Sequence, residues 1–342
     1  MTQTGSRAAL DRVVRRAGGA SVFEALVALP GSDLTTLQLE LMRRRAAALS
    51  PATVLERYRR DRFTAPAPLP FAALRRVEDV LLDALAARPE SVEVVTPAPL
   101  APLGTHSVLA TVDQNKVVST VRGTDVAADP TNGLALEAAV RRQDLQRADV
   151  AGAGSGPGGG PLAGVVRLAA IQRVVRAQYV AGPAMFAHFS LFAQVTAGRD
   201  IGGLGFERAA LAEQLAVVAG ALPRLGAEEV EVRLTVLEPR FAPVADAIVA
   251  ALGGRPDGAA AGVPVRAALD PGRPSGRGYY EGLCFKVMAR LDGEWAEVGD
   301  GGFTGWSREL LSNKKERLLI SGLGIDRLAA AHAAATSRTT AT

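Results

Sequence analysis

The sequence predicts an α+β protein: an antiparallel sheet with helices packed on it, behind an N-terminal helical arm. Three observations predict this class. Residues 8–62 hold helix-forming segments dense in arginine and end at a proline-rich stretch. From Val92 onward the texture turns to short β-branched runs, set off by turn-forming residues and interleaved with longer helical segments. Neither a parallel strand–helix–strand alternation nor a glycine-rich dinucleotide fingerprint appears.

In chain order, residues 8–30 and 33–62 read as helices. Leu37, Leu39, Leu41 and Met42 give the second an apolar set, and Ser50-Pro51 marks a helix start with proline at its first position. Ala65-Pro66-Ala67-Pro68-Leu69-Pro70 is a stiff linker, because proline fixes the backbone in an extended form. It divides an arm, residues 1–64, from a core, residues 65–330. Phe71 to Ala87 is an amphipathic helix. Val92 to Val95 is a strand, and Ser107–Val112 and Lys116–Val121 form a hairpin across Asp113-Gln114-Asn115. Gly152 to Gly160 and Gly253 to Gly262 are soft surface connections, since the first lacks the Lys-Ser/Thr ending of a phosphate loop. Strands are expected at 165–175, 189–196, 230–237, 283–289 and 294–298, with helices at 206–225 and 240–252. The strand Leu318 to Ile325 runs into a helix opening at Asp326, with helical Ala329 to Ala335 closing the chain. Residues 331–342 end in a polar tail expected to be disordered.

Composition narrows the class of function. Of 342 residues, 48% are hydrophobic and 22% charged, the balance of an ordinary globular protein with room for a large core. The single cysteine, Cys284, excludes a disulfide framework and a cysteine-based zinc site. His106, His188 and His332 are too far apart to pair as metal ligands. No apolar run approaches the roughly 18 residues of a membrane span, so a cytoplasmic protein without a membrane partner is expected. The net charge of +4 is modest, but arginine crowds the arm: Arg12, Arg15, Arg16, Arg43, Arg44, Arg45, Arg57, Arg59, Arg60 and Arg62. An anionic partner such as RNA is one reading, and solvated helix faces are the other.

Chemistry concentrates in the core. Leu318 to Leu328 alternates small and aliphatic residues, with Gly322 and Gly324 leaving bare backbone before Arg327. An arginine at the mouth of a sheet can hold a phosphate through its planar fork of donors. The stretch resembles motif 3 of class II aminoacyl-tRNA synthetases, and other segments in order are similar to the histidyl-tRNA synthetase branch. Val94-Val95-Thr96-Pro97 resembles the end of motif 1. Asp113 to Asp125 is similar to the hairpin that ends in L-R-P-E-G-T. Val175-Arg176-Ala177-Gln178 and Ser190-Leu191-Phe192-Ala193-Gln194 resemble motif 2, its F-R-x-E and the F-x-Q of its return strand. Ser275 to Leu283 is similar to R-G-L-D-Y-Y-T-G, and Gly301 to Trp306 stands where the family has G-G-R-Y-D-G-L.

The resemblance implies ATP and Mg²⁺. It implies that Arg176 and Arg327 carry the catalytic charge, and that Arg122, Gln178, Phe192, Gln194, Gly322 and Gly324 hold the nucleotide, Phe192 by stacking on the adenine. His188 lies in the motif 2 loop, in reach of a phosphate or a substrate. Thr124, Asp125, Arg277, Tyr279, Tyr280 and Gly302 are the implied substrate set. Thr124 stands where the family glutamate grips the α-amino group, with Asp125 as its replacement. Glu231 and Glu238 are candidates for metal or ribose contacts. The family pairs as dimers through motif 1, so a homodimer is expected. A histidyl-tRNA synthetase carries a further α/β domain after motif 3, so charging of tRNA is not expected here unless the basic arm serves as an RNA contact.

Two functions are compatible with these residues. In one, ATP activates an amino acid or related carboxylic acid as an acyl-adenylate, which passes to a small molecule, a carrier protein or an RNA end. In the other, the chain is a non-catalytic binding subunit resembling the regulatory subunit of ATP phosphoribosyltransferase, which also lacks the anticodon domain.

Overall fold

The computed structural model describes residues 3–150, 164–178, 186–253, 262–276 and 278–331. The glycine-rich segments within 152–160 and 254–261, residue Arg277 and the tail from 332 lie outside the described residues. The described chain forms two compact units, one of residues up to 65 together with 119–124, the other of the remainder.

In the first unit the two expected helices are four: α1 (Gln3–Arg16), α2 (Ala20–Val27), α3 (Gly31–Ala47) and α4 (Pro51–Arg60). Gly18 and Gly19, at φ 111° and 96°, adopt backbone open only to glycine at low cost, and they end α1. Pro30 sits at the cap before α3. Ser50 starts α4 as expected, accepting a hydrogen bond from the Thr53 amide at 3.2 Å with Pro51 in the first turn. Along α3, Glu40 pairs with both Arg43 and Arg44, so part of the arginine surplus is met locally.

The second unit is built on a mixed sheet of eight strands. These are β1 (Glu93–Val94), β4 (Val166–Val175), β5 (His188–Arg199), β6 (Glu229–Val236), β7 (Val265–Leu269), β8 (Glu281–Leu291), β9 (Glu294–Thr304) and β10 (Glu316–Gly324). Their order is β1-β4-β5-β10-β9-β8-β6-β7. The interior pairs are antiparallel, as expected, while both edge pairs, β1–β4 and β6–β7, are parallel. A separate two-stranded ribbon joins β2 (Leu100–Pro102) to β3 (Thr124–Val126).

Both faces of the sheet are covered, in different ways. On one face α5 (Phe71–Ala86), α7 (Gly205–Ala221), α8 (Ala242–Gly253) and α10 (residues 325–331) bury Phe192, Leu234, Phe285, Leu319 and Leu323. On the other, α6 (Pro130–Val150) and Trp306 of α9 (Trp306–Leu310) cover Leu168, Val195, Leu318 and Ile320. The core-facing positions of α6 include Leu134, Ala135, Ala138 and Arg142. Arg142 reaches Glu316 of β10 with two nitrogens at 3.0 Å, and Gln146 donates to the same carboxylate at 2.9 Å. This ion pair is buried, with the side chains 5% and 0% exposed. Among the described residues no helix is long and apolar enough to cross a membrane.

The expected hairpin of Ser107–Val112 and Lys116–Val121 does not form. Thr105–Leu109 is a wide helical turn and Gln114–Lys116 a short 3-10 turn. Side chains replace the ladder. The Asp113 carboxylate accepts from the Asn115 amide at 3.0 Å, and Asp125 binds the Gly104 amide at 3.0 Å and the Gln114 side chain at 2.9 Å.

Candidate functional site

The face of the sheet covered by α6 is where the polar side chains converge. Period-two alternation puts Val166, Leu168 and Ala170 of β4 on that face, and Arg176, just past the strand, follows the same parity. The Arg176 amide bonds the Ala187 carbonyl at 2.8 Å. Its guanidinium lies over the half-buried Phe189 ring at 5.0 Å. Nε donates to the Ala128 carbonyl at 3.0 Å, and a terminal nitrogen stands 3.3 Å from an Asp129 oxygen.

Asp129 opens α6. Its other oxygen accepts from the Thr131 amide at 2.9 Å and the Thr131 hydroxyl at 2.7 Å, while Pro130 takes the first helical position. One turn in, Asn132 meets the buried His106, whose Nδ1 is 2.7 Å from Asn132 Oδ1. Tyr279 packs edge-on against Tyr280 at 4.8 Å and against Trp306 at 5.5 Å. Behind them the Arg273 guanidinium bonds the Ser275 carbonyl at 2.7 Å and Asp300 at 3.1 Å.

Electrostatics follow from this crowding. Burial, then the Asp129 carboxylate, pushes the Tyr279 phenol above its usual range. Burial, then Asp300, does the same to Tyr280. Both phenols therefore stay protonated at neutral pH; Tyr280 donates to Asp300, and the Tyr279 oxygen accepts from the Asn132 side chain. Burial also raises Asp300, with Asp129 and Glu297 adding to the rise and Arg273 opposing it.

Asp300 pairs across the ladder with Gly322 of β10, on the same face of the sheet. Among the described residues, a methyl group at Gly322 would meet only the Phe192 carbonyl, at 3.4 Å, and one at Gly324 would come no nearer than 3.6 Å to any atom. These two glycines form an open floor of bare backbone. Arg176 follows β4, Arg327 follows β10, and β5 lies between, so the arginines flank the floor two strands apart. Arg327 is exposed and donates to the Glu297 carbonyl of β9.

No protein-family model matches the sequence, and no curated protein does. Solved structures do. The S. aureus apo histidyl-tRNA synthetase aligns over 78% of this chain and 68% of its own, at 14% identity and TM-score 0.51. A histidine–tRNA ligase subunit from Alicyclobacillus acidocaldarius aligns over 80% of this chain and 96% of its own, at 13% identity and TM-score 0.51. The fold is the histidyl-tRNA synthetase-like class II core. A Bacillus halodurans protein described as an ATP phosphoribosyltransferase regulatory subunit/histidyl-tRNA synthetase aligns over 79% of this chain and 82% of its own, at 16% identity and TM-score 0.49.

Within this class II core several expected residues stand elsewhere. Phe192 is 1% exposed and points into the α5–α7–α8 core, so it has no face free to stack on a base. Gln194 shares that parity and lines a small polar cavity with Arg167, Glu213 and Gln214 on the same far side. Phe189, under Arg176, is the aromatic ring that β5 turns toward the site face. Asp125 is fully buried, its oxygens taken by Gly104 and Gln114, so it cannot grip a substrate. Gly302 is filled from within, because a methyl there would lie 2.7 Å from both Cys284 Cβ and the Tyr280 ring. It seats Tyr280 on the sheet rather than admitting a ligand.

The two proposed metal carboxylates are engaged by arginines. Glu231 binds Arg233 at 2.6 Å and Arg266 at 2.8 Å; burial raises its pKa, but the two arginines outweigh that and hold it low. Glu238 binds Arg240 at 2.8 Å and the Gly282 amide at 3.1 Å. Neither fits Mg²⁺, and the described residues contain no group of three or more metal-binding side chains.

Of the rest, Gln178 is exposed at the end of a described segment, and Arg122 and Thr124 belong to the first unit. His188 Nδ1 accepts from Arg173 at 2.8 Å, and Arg173 also binds Asp326, so this histidine is tied on the far face. Asp129, Asn132, His106, Arg273, Asp300 and Phe189 were not expected. For Asp129 the signal was present: Asp129-Pro130-Thr131 keeps the acid-x-threonine spacing of E-G-T, four residues after Asp125.

Proposed function

We propose that the chain activates an amino acid or a related carboxylic acid with ATP. The observation that carries the reading is the open Gly322–Gly324 floor, flanked by two exposed arginines on the face that also holds Asp129, Tyr279 and Asp300. Bare backbone admits a flat base and bent phosphates, and the arginines supply donors for the anion. Asp129 and Arg176, paired with each other in the structure, match the ammonium and carboxylate of a zwitterion. On ligand entry Asp129 takes the ammonium and frees Arg176 for the acid and the α-phosphate. The acid's oxygen then bonds to the α-phosphorus as pyrophosphate leaves, and the arginines offset the charge that develops. The acyl group passes to a non-standard acceptor: a small molecule, a carrier or an RNA end.

A second reading, a non-catalytic amino-acid-binding regulatory subunit, is favoured by the loss of Phe192, Gln194, Glu231 and Glu238 from the site. Exchange of labelled pyrophosphate into ATP, run with Mg²⁺ across a panel of amino acids, separates the two. Exchange with a single acid is the expected result. Amino-acid binding without exchange establishes the regulatory reading.

We also propose a homodimer. Val94, Leu100, Leu103 and the 81% exposed Val108, all within eleven residues of Pro97 in sequence, are exposed apolar side chains, and β1 is an edge strand. Light scattering should return twice the chain mass, and Val108→Glu should shift it toward the monomer. A stable wild-type monomer at micromolar concentration refutes the proposal.

A further inference from the structure

The N-terminal arm carries apolar surface that nothing in its own unit covers. No residue of α2, α3 or α4 is buried. Eleven of the 21 exposed large apolar side chains among the described residues fall within residues 10–58. Helices of 8–17 residues are marginal in water unless one face is packed away. Exposed apolar surface of this extent marks an interaction site. In α4 the stripe is narrow: Val54, Leu55 and Tyr58, between 46% and 53% exposed, share one face. Arg57 borders it on one side and Arg59 on the other, both exposed and, among the described residues, without an ion pair. Arg60, on the opposite face, is tied to Glu56 at 2.6 Å.

Three observations choose the occupant. The first is charge: residues 1–65 hold eleven arginines, no lysine and six acidic residues, a balance of +5, while the whole chain carries +4. The rest of the chain is thus slightly acidic at −1, so a second copy offers little to match the arm, and two arms repel. Next, nucleic-acid phosphates would satisfy the arginines but leave the apolar side chains in water. Finally, Leu37 and Met42 of α3, 48% and 49% exposed, lie five residues and so about 140° apart around the helix. A membrane surface takes one face of a helix. Apolar residues on two faces suit burial among other helices.

We propose that the arm is a docking module for an acidic amphipathic helix of another protein. The partner's aliphatic residues cover the stripe of Val54, Leu55 and Tyr58. Carboxylates on either side of them meet Arg57 and Arg59, whose planar forks pair with carboxylates. This docking is independent of the chemistry over the sheet.

The test is selection, on the full chain, from a displayed library of peptides long enough to be helical, with leucines at heptad spacing and every other position random. Enriched peptides should be acidic beside the leucines. A synthetic copy of the strongest should bind in anisotropy titrations, and more weakly as salt is raised. Val54→Ser with Tyr58→Ser should weaken it roughly thirtyfold or more. Arg57→Glu with Arg59→Glu should weaken it at least about tenfold. The melting transition should stay unchanged in both double variants, because all four side chains are exposed. Enrichment of neutral or basic peptides, no enrichment, or binding that survives both double variants overturns the proposal. So does tighter binding of the full chain to phosphatidylglycerol vesicles or to a single-stranded RNA oligonucleotide than to the peptide. None of these outcomes bears on pyrophosphate exchange or on the reading that it tests.

Discussion

Replacing Glu316 with alanine should lower the unfolding free energy by about 3–5 kcal/mol, measured by chemical denaturation. The carboxylate has no exposed surface and takes bonds from Arg142 and Gln146. Without it a guanidinium remains buried on α6 with, among the described residues, only the Gly164 carbonyl as partner. An uncompensated buried charge costs far more than the intact pair contributes. Glu316→Gln keeps an acceptor oxygen and should fall between. Replacing both partners at once, Arg142→Met with Glu316→Leu, should recover most of the loss, because desolvation of the two charges disappears with them. A cost under about 1 kcal/mol for Glu316→Ala, the surface-pair range, would contradict the burial argument.

Arg327→Ala and Arg176→Ala should each weaken ATP binding by roughly ten- to a hundredfold in calorimetry with Mg²⁺. That range follows from about 1.5–3 kcal/mol for a hydrogen bond to a charged group. The fold should survive, since both side chains are exposed. Lysine at either position should rescue only partly, because it lacks the planar fork. Arg176→Ala should act in two ways, as it also frees Asp129, its partner at 3.3 Å. No ATP binding by the wild-type chain overturns the enzyme reading.

The architecture was legible because its signals are redundant. The 165–175 and 189–196 segments are long, β-branched and bounded by glycine or charge, and they became β4 and β5 with slightly wider limits. The same redundancy hid the direction of Phe192. In β5, Phe192, Ala193, Gln194, Val195, Thr196 and Ala197 are all buried, so alternation carries no inside and outside. Helix α6 escaped notice because its buried stripe holds one leucine, Leu134, among polar residues, alanines and an arginine, which carry almost no periodic hydrophobicity. The region from 104 to 126 reads as strands by composition, yet buried side-chain hydrogen bonds from Asp125 override that preference. Asp129 went unread for a related reason: Asp125 satisfied the pattern first, and only burial separates a structural carboxylate from an available one.

The place of β10 in the sheet has a consequence for synthesis on the ribosome. It is the last strand in the described sequence and lies at the centre, between β5 and β9. A nascent chain that has reached residue 304 can pair β1, β4 and β5 into one ribbon and β9, β8, β6 and β7 into another, but nothing yet joins them. Each half presents a long unsatisfied edge, the kind that recruits foreign strands. At about 5–20 residues per second, the β5 edge waits on the order of 6–25 s between its own completion and that of β10. Closure is then a single late event in which one strand supplies both ladders and the Glu316 anchor for Arg142.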